Sequence, residues 1–198
     1  MPKNTNIENA RTTYVLRVSI ADSSPKIWRK LSVPGGCTLG DLHWIIQIAF
    51  GWDNDHLHSF TVGSTRYGIK DADFGFDEND NSIIDENDVC LYDLNLQTKQ
   101  KFRYLYDFGD SWEHEITVSK TTPAGDDEKP ARPRCLDGKR AGPPEDSGGI
   151  WGYESMLEIL KDPTRKDYEE IHEWLGDIDP EHFEIEEINA RLENYFKH

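Results

Sequence analysis

Hydrophobic and polar residues alternate in three short stretches of the N-terminal half of the chain, a pattern typical of half-buried strands. In the first stretch, apolar side chains recur at every second position from Tyr14 to Ile20. A Ser-Ser-Pro turn at 23–25 leads into a second stretch at 27–33, and a third stretch covers 58–62. The pattern predicts two strands that return on each other, and a third strand further along the chain.

A helical pattern separates the second and third stretches. Thr38 stands three residues before Asp41, the spacing of a capping box in which each side chain meets a free backbone amide. Gly51 suits the left-handed residue that commonly ends a helix. The apolar face of this predicted helix contains Leu39, Leu42, Ile46 and Ala49.

Two β-rich runs, 102–106 and 112–118, enclose a turn of Asp, Gly and Ser residues and predict a β-hairpin. Gly109 in this turn is expected to adopt a positive φ angle. Side chains alternate across a strand, so one face of the second run carries a histidine among apolar neighbours. That face consists of Trp112, His114, Ile116 and Val118.

The remaining sequence predicts loops and C-terminal helices. Residues 71–88 contain eight carboxylates and no Lys or Arg, which indicates an acidic loop. Prolines and glycines concentrate in 120–150, which predicts a long loop. Apolar residues then return at helical spacing. The predicted helices cover 153–161, 165–175 and 184–196, and residues 1–11 are expected to be frayed.

These elements predict an α+β fold, in which one N-terminal helix packs on an antiparallel or mixed sheet and a helical segment closes the C-terminus. The order strand, strand, helix also fits a β-grasp-like start. At 198 residues, one domain over 12–198 is expected.

Charge and cysteine usage narrow the classes of function. With 38 Asp and Glu against 22 Lys and Arg, the net charge of −16 disfavours binding to phosphate backbones. No apolar run is long enough to span a membrane, and no secretory leader is visible. Cys37, Cys90 and Cys135 are widely spaced and form no CxxC pair, which favours the reducing cytoplasm.

Four histidines fall on the elements that a helix-on-sheet fold would bring together. His43 lies on the predicted helix, and His56 and His58 lie at the start of the third strand. If these side chains converge, they form a divalent metal site of a common type, with His43, His56 and His114 as ligands. The full candidate site is His43, His56, His58, Asp107, Asp110, Trp112 and His114. The simpler interpretation, which we favour, is that each histidine is bonded to backbone and each turn aspartate to local amides.

The acidic segment partly imitates a calcium-binding loop, with oxygen-bearing side chains at positions 1, 3, 5, 9 and 12. Ser82 replaces the usual turn glycine, and no helix precedes the segment, so a solvated acidic loop is the favoured interpretation. The calcium-like positions are Asp77, Asn79, Asn81, Asp85 and Asp88.

Several sequence words together resemble one family, the plasmid Ri-type open-reading-frame-three-like proteins, also found as passengers of insertion elements. The words include Tyr104 through His114, Pro143-Pro144-Glu145-Asp146, Gly51-Trp52 with His56-Leu57-His58, and Trp174-Leu175-Gly176. The resemblance covers about residues 12–196. It implies a single α+β domain with no established biochemical activity.

Two functions of different classes follow as hypotheses. The first is a non-catalytic protein-binding or accessory module, in which the hairpin and the proline-rich loop frame a groove for a partner protein. Trp28, Trp52, Trp112 and Trp151 could line such a groove, although tryptophans in these runs more often pack in a core. The alternative is a metal-dependent hydrolase-like enzyme that uses the His/Asp cluster. No cofactor is expected beyond that divalent metal, and the oligomeric state is open.

Overall fold

An eight-stranded mixed sheet forms the centre of the computed structural model, which describes residues 10–70, 82–123 and 132–197. The strand order is β5-β4-β3-β6-β7-β1-β2-β8, and only β4 and β5 run parallel within this sheet. The strands are β1 (Thr13–Ile20), β2 (Trp28–Pro34), β3 (His58–Val62), β4 (Thr65–Gly68), β5 (Ile83–Asp85), β6 (Lys101–Tyr106), β7 (Trp112–Thr122) and β8 (Arg134–Lys139). The described helices are α1 (Leu39–Phe50), α2 (Gly149–Ile159), α3 (Tyr168–Leu175) and α4 (Ile185–Tyr195). The predicted α+β class is confirmed.

One face of the sheet is buried and the other is polar, because apolar residues occupy alternate positions in the central strands. In β7 the even-numbered side chains from Trp112 to Val118 are buried, whereas Glu113 and Glu115 point outward and are exposed. Paired positions share a face, so Tyr104 stands opposite His114 and Tyr106 opposite Trp112 on the buried side. An aromatic and histidine layer therefore lines the core.

Helix α1 covers this layer and is itself mostly buried. The predicted capping box is present, since Thr38 Oγ1 accepts from the Asp41 amide and an Asp41 carboxylate oxygen accepts from the Thr38 amide. Gly51 ends the helix with a φ of 82°. The side chains of His43 and Gln47 reach the sheet at Tyr104. The strand–strand–helix opening thus positions the core histidines.

The turn of the central hairpin departs from the expectation for Gly109. The positive φ angles belong to Asp107 (54°) and Ser111 (55°), whereas Gly109 is not in the left-handed region. The Asp107 side chain compensates by accepting the Gly109 amide, and the Asp107 carbonyl accepts the Ser111 amide at 2.7 Å. The hydrogen bond from the Gly109 amide to the Asp107 carboxylate therefore fixes the turn. Bonding to local amides is the role predicted above for the turn aspartates.

Three regions were predicted wrongly in part. The C-terminal end of the acidic segment is not a loop, because β5 pairs with β4 and a 3-10 turn follows at Glu86–Asp88. The proline-rich region 120–150 contains the end of β7, all of β8 and the start of α2. Helix α2 begins four residues before the predicted position, and α3 begins three residues after it.

Within the described ranges, no helix is both long enough and apolar enough to cross a bilayer.

Candidate functional site

His43 and His58 stack face to face in the core beneath α1. Their ring centroids are 3.5 Å apart and their planes differ by 4°. His43 Nε2–H donates to Asn54 Oδ1 at 2.8 Å, and the Tyr104 hydroxyl donates to His43 Nδ1 at 2.8 Å. Burial, together with the adjacent His58, lowers the pKa of His43 to about 2. His43 is therefore neutral and fully engaged, as a structural core histidine would be.

His58 forms a buried pair with Glu86. Its Nε2 lies 3.0 and 2.9 Å from the two carboxylate oxygens, and Glu86 is only 2% exposed. The acidic segment therefore contributes a core residue, which the interpretation as a solvated loop did not anticipate. Buried charge needs such a partner, because an isolated carboxylate in the interior is very costly.

His114 lies in an aromatic cage below the hairpin. Its ring is 5.2 Å from the rings of Phe50 and Trp52 and 5.3 Å from that of Tyr104. Nδ1–H donates to the Trp112 carbonyl at 2.9 Å, while Nε2 has no hydrogen-bond partner in the described part of the chain. Burial lowers the pKa of His114 to about 4, so the ring is neutral at pH 7.

The predicted ligand set His43, His56 and His114 is not assembled. Within the described residues, one group of at least three His, Cys, Asp or Glu side chains brings its ligand atoms together, and it consists of His56, Asp107 and Asp146. The predicted site thus separates into a buried polar core, with His43, His58 and His114, and a group near the surface around His56. His58 is the first residue of β3 and is buried, whereas His56 lies two residues before the strand and is partly exposed.

The His56 group joins the segment just before β3, the hairpin turn and the proline-rich loop. His56 Nδ1 is 3.8 Å from Asp107 Oδ2, and Nε2 is 3.4 Å from Asp146 Oδ1. Sequence reasoning proposed His56 and Asp107 but assigned no role to Asp146. The Pro-Pro-Glu-Asp sequence could have indicated Asp146, because the two prolines restrict the backbone of the loop that holds this carboxylate.

The other predicted site residues have structural roles. Asp110 Oδ2 accepts the Gly148 amide at 2.9 Å and so fastens the proline-rich loop to the hairpin. Trp112 is buried in the core. Of the calcium-like positions, Asp77, Asn79 and Asn81 lie outside the described residues. The two that are described, Asp85 and Asp88, belong to β5 and the following 3-10 turn, where Asp85 accepts the Asn87 amide.

A cleft of about 670 Å³ lies beside helix α2. Helix α2 forms one wall and the segment 178–181 forms the other, with the turn at Ser24–Pro25 at one end. Trp151 on the α2 wall is 70% exposed, although Trp52 and Trp112 are buried. The cleft lies within the size range of ligand pockets in proteins.

Buried Arg140 holds the cleft walls in place. Its Nε donates to Glu181 at 2.7 Å, and one terminal nitrogen donates to the Pro25 carbonyl at 3.1 Å. From the α2 wall, Glu154 accepts the Ser24 amide at 2.8 Å. Both walls are therefore tied to the 24–25 turn.

A smaller hollow of about 200 Å³ lies between the hairpin turn and the start of α2, and Trp151 also lines it. Gly149 permits this close approach, since a Cβ there would lie 2.2 Å from the Asp110 carbonyl oxygen. The hairpin and the proline-rich loop thus frame a hollow, and Trp151 borders both it and the larger cleft.

The sequence profile of the family described as plasmid pRiA4b ORF-3-like protein matches residues 12–187. The chain belongs to this family. A protein of Sinorhizobium fredii (strain NBRC 101917 / NGR234), named uncharacterized protein y4hQ, is 38% identical over 165 residues, which cover 83% of this chain and 81% of y4hQ. The crystal structure of the protein of unknown function MM3350 from Methanosarcina mazei Go1 is similar, with a TM-score of 0.77 and 36% identity. That match covers 88% of this chain and 96% of MM3350. The names of these two pRiA4b ORF-3-like relatives state no activity.

Proposed function

We propose that the protein is a binding module that receives a basic, partly apolar segment of a partner protein in the Trp151 cleft. The exposed indole of Trp151 is the observation that carries the proposal. An indole left in water forgoes a large hydrophobic stabilisation, and tryptophan beside a cleft is the residue type that most often dominates a binding interface. Ile150 and Tyr153 on the same helix are buried, so α2 packs against the core through these residues while Trp151 stays exposed.

The charges around the cleft favour a basic ligand. Three carboxylates and two cations line it, and Arg140 pairs with Glu181 while Lys161 pairs with Glu158. The lining therefore has one carboxylate in excess, Glu154, which accepts the Ser24 amide. The chain as a whole carries −16, which would attract a basic partner over a distance comparable to the Debye length. A Lys or Arg side chain over the Trp151 face would also gain a cation–π interaction.

The apolar part of the cleft defines the rest of the ligand. Leu157, Leu160 and Ile178 lie along it, with Pro25 and Pro180 at its edges. A segment that alternates basic and aliphatic or aromatic residues would match these features.

The proposal is tested by selecting displayed random peptides on the purified protein and measuring the affinity of the enriched peptides. We expect enrichment of Lys or Arg beside large apolar residues, and at least tenfold weaker binding to Trp151→Ala. The matched control is Trp174→Ala, because Trp174 is 48% exposed on α3 and does not line the cleft. Peptides without basic residues, or equal binding to the two variants, would contradict the proposal.

We also propose a cytoplasmic location. Its support is the cysteine chemistry, since Cys37, Cys90 and Cys135 are all free thiols. Burial raises the pKa of Cys37 to about 12, which keeps the thiol protonated and unreactive.

A further inference from the structure

We propose that His56, Asp107 and Asp146 form a binding site for a divalent transition-metal ion, separate from the peptide cleft. Each residue offers one ligand atom, and the three atoms lie within 4.8 Å of one another. Ligand atoms at 2.0–2.2 Å from a tetrahedral zinc ion are separated by roughly 3.3–3.6 Å. The 3.4 Å from His56 Nε2 to Asp146 Oδ1 is close to that spacing. Asp107 Oδ2 lies 3.8 Å from the other ring nitrogen, Nδ1, so its carboxylate must move closer to Nε2 for all three residues to bind one ion.

The imidazole of His56 supports the assignment independently of the acidic side chains. Its Nε2 is inaccessible to solvent and forms no hydrogen bond with the residues that the structure describes, although it lies beside Asp146. Buried polar atoms are nearly always bonded, and exceptions occur where an ion or a functional partner belongs.

The burial of the Asp107 carboxylate without a Lys or Arg partner among the described residues also supports a bound cation. This residue is only 7% exposed, yet within the described ranges neither Asp107 nor Asp146 has a Lys or Arg within ion-pair distance. A buried carboxylate is costly unless a cation compensates it. A divalent ion would balance the two carboxylates.

The surrounding residues hold the three side chains in position. Asp107 uses Oδ1 to accept the Gly109 amide, which leaves Oδ2 facing His56. Glu145 anchors the loop that carries Asp146, since it accepts the Asp53 amide and the Tyr106 hydroxyl. The edge of the Tyr106 ring packs against His56 with centroids 5.8 Å apart. Partners of this kind orient metal ligands in known sites.

The donor set indicates the class of ion. One imidazole nitrogen and two carboxylate oxygens suit Zn²⁺, Mn²⁺ or Fe²⁺ better than the soft Cu⁺ ion or the all-oxygen preference of Ca²⁺. Three protein ligands leave at least one coordination position for water, as in open metal sites.

The test is calorimetric titration of Zn²⁺ into chelator-treated protein, with the thermal unfolding midpoint as a second readout. We expect about one ion per chain and a raised midpoint, because binding to the folded state stabilises it. Asp146→Asn should weaken the affinity at least tenfold without loss of folding, since its side chain is 75% exposed. His56→Ala should act in the same direction.

The control variant is His172→Ala. His172 also lies near a carboxylate, with Nε2 3.7 Å from an Asp177 oxygen, but it belongs to no group of three possible ligands in the described part of the chain. Zinc binding should be unchanged in this variant. Absence of binding to the wild type, or equal affinities for the wild type and Asp146→Asn, would overturn the proposal.

Discussion

At the residue scale, the core of this protein is unusual in placing three histidines against tyrosine and tryptophan rings. His43 is satisfied on both nitrogens. His58 is paired with Glu86 through Nε2, but His58 Nδ1 and His114 Nε2 have no hydrogen-bond partner among the described residues. A neutral ring is tolerated there because desolvation penalises only the charged form strongly. The arrangement should make the fold sensitive to acid.

We expect His114→Phe to reduce this acid sensitivity. The folded-state pKa of His114 is about 4, below its ordinary value of 6.5. The unfolded chain therefore binds more protons below pH 6.5, and stability falls as the pH falls towards 4. This one residue should cost about 2 kcal/mol of unfolding free energy between pH 7 and pH 5.

Urea unfolding at the two pH values measures this difference. The wild type should lose about 2 kcal/mol more than His114→Phe, whereas the exposed control His172→Phe should behave as the wild type. Equal pH slopes for the wild type and His114→Phe would show that His114 does not titrate as described.

At the scale of elements, the sequence was most informative where a pattern is long and local. Strands β1, β2, β6 and β7 and helix α1 followed from alternation, turn residues and the capping box, because each has a complete buried face. Strand β8 has one buried residue, Cys135, so it lacks the alternation that would identify it. Strands β4 and β5 have four and three residues, and their parallel pairing depends on contacts distant in sequence.

The same distinction applies to the candidate sites. Local patterns identified His56, Asp107 and the exposed or buried faces of the hairpin. They could not show that Asp146 meets His56, because that contact depends on how Asp110 and Glu145 fix the proline-rich loop. Nor could helical spacing show that α2 begins at Gly149 and leaves Trp151 in water.

The end of the acidic segment should contribute to folding stability, which its interpretation as a solvated acidic loop did not predict. Glu86→Ala leaves the buried Nε2 of His58 without its hydrogen-bond partner, and an unsatisfied buried polar group typically costs about 1–3 kcal/mol. The exposed neighbour Asp88→Ala serves as a control and should change the unfolding free energy by less than about 0.5 kcal/mol. Urea unfolding at pH 7 compares them, and similar small losses for both variants would refute the role of Glu86.

At the scale of the whole molecule, one sheet face and the helices build a stable core, while the proline-rich loop arranges two surface features. The loop brings Asp146 to His56 on one side and begins α2, with Trp151, on the other. The net charge of −16 surrounds both features and favours cationic ligands at each, a metal ion at the first and a basic peptide at the second.

The central claim is that a basic peptide occupies the Trp151 cleft, and indole NMR tests it directly. The chain has six tryptophans, so ¹⁵N-labelled protein should give six indole signals that single Trp→Phe variants assign. Titration with a lysine- or arginine-containing peptide from the display selection should shift the Trp151 signal, leave that of Trp174 in place, and weaken as salt is added. An unchanged Trp151 signal at saturating peptide, or a larger shift at Trp174, would contradict the account.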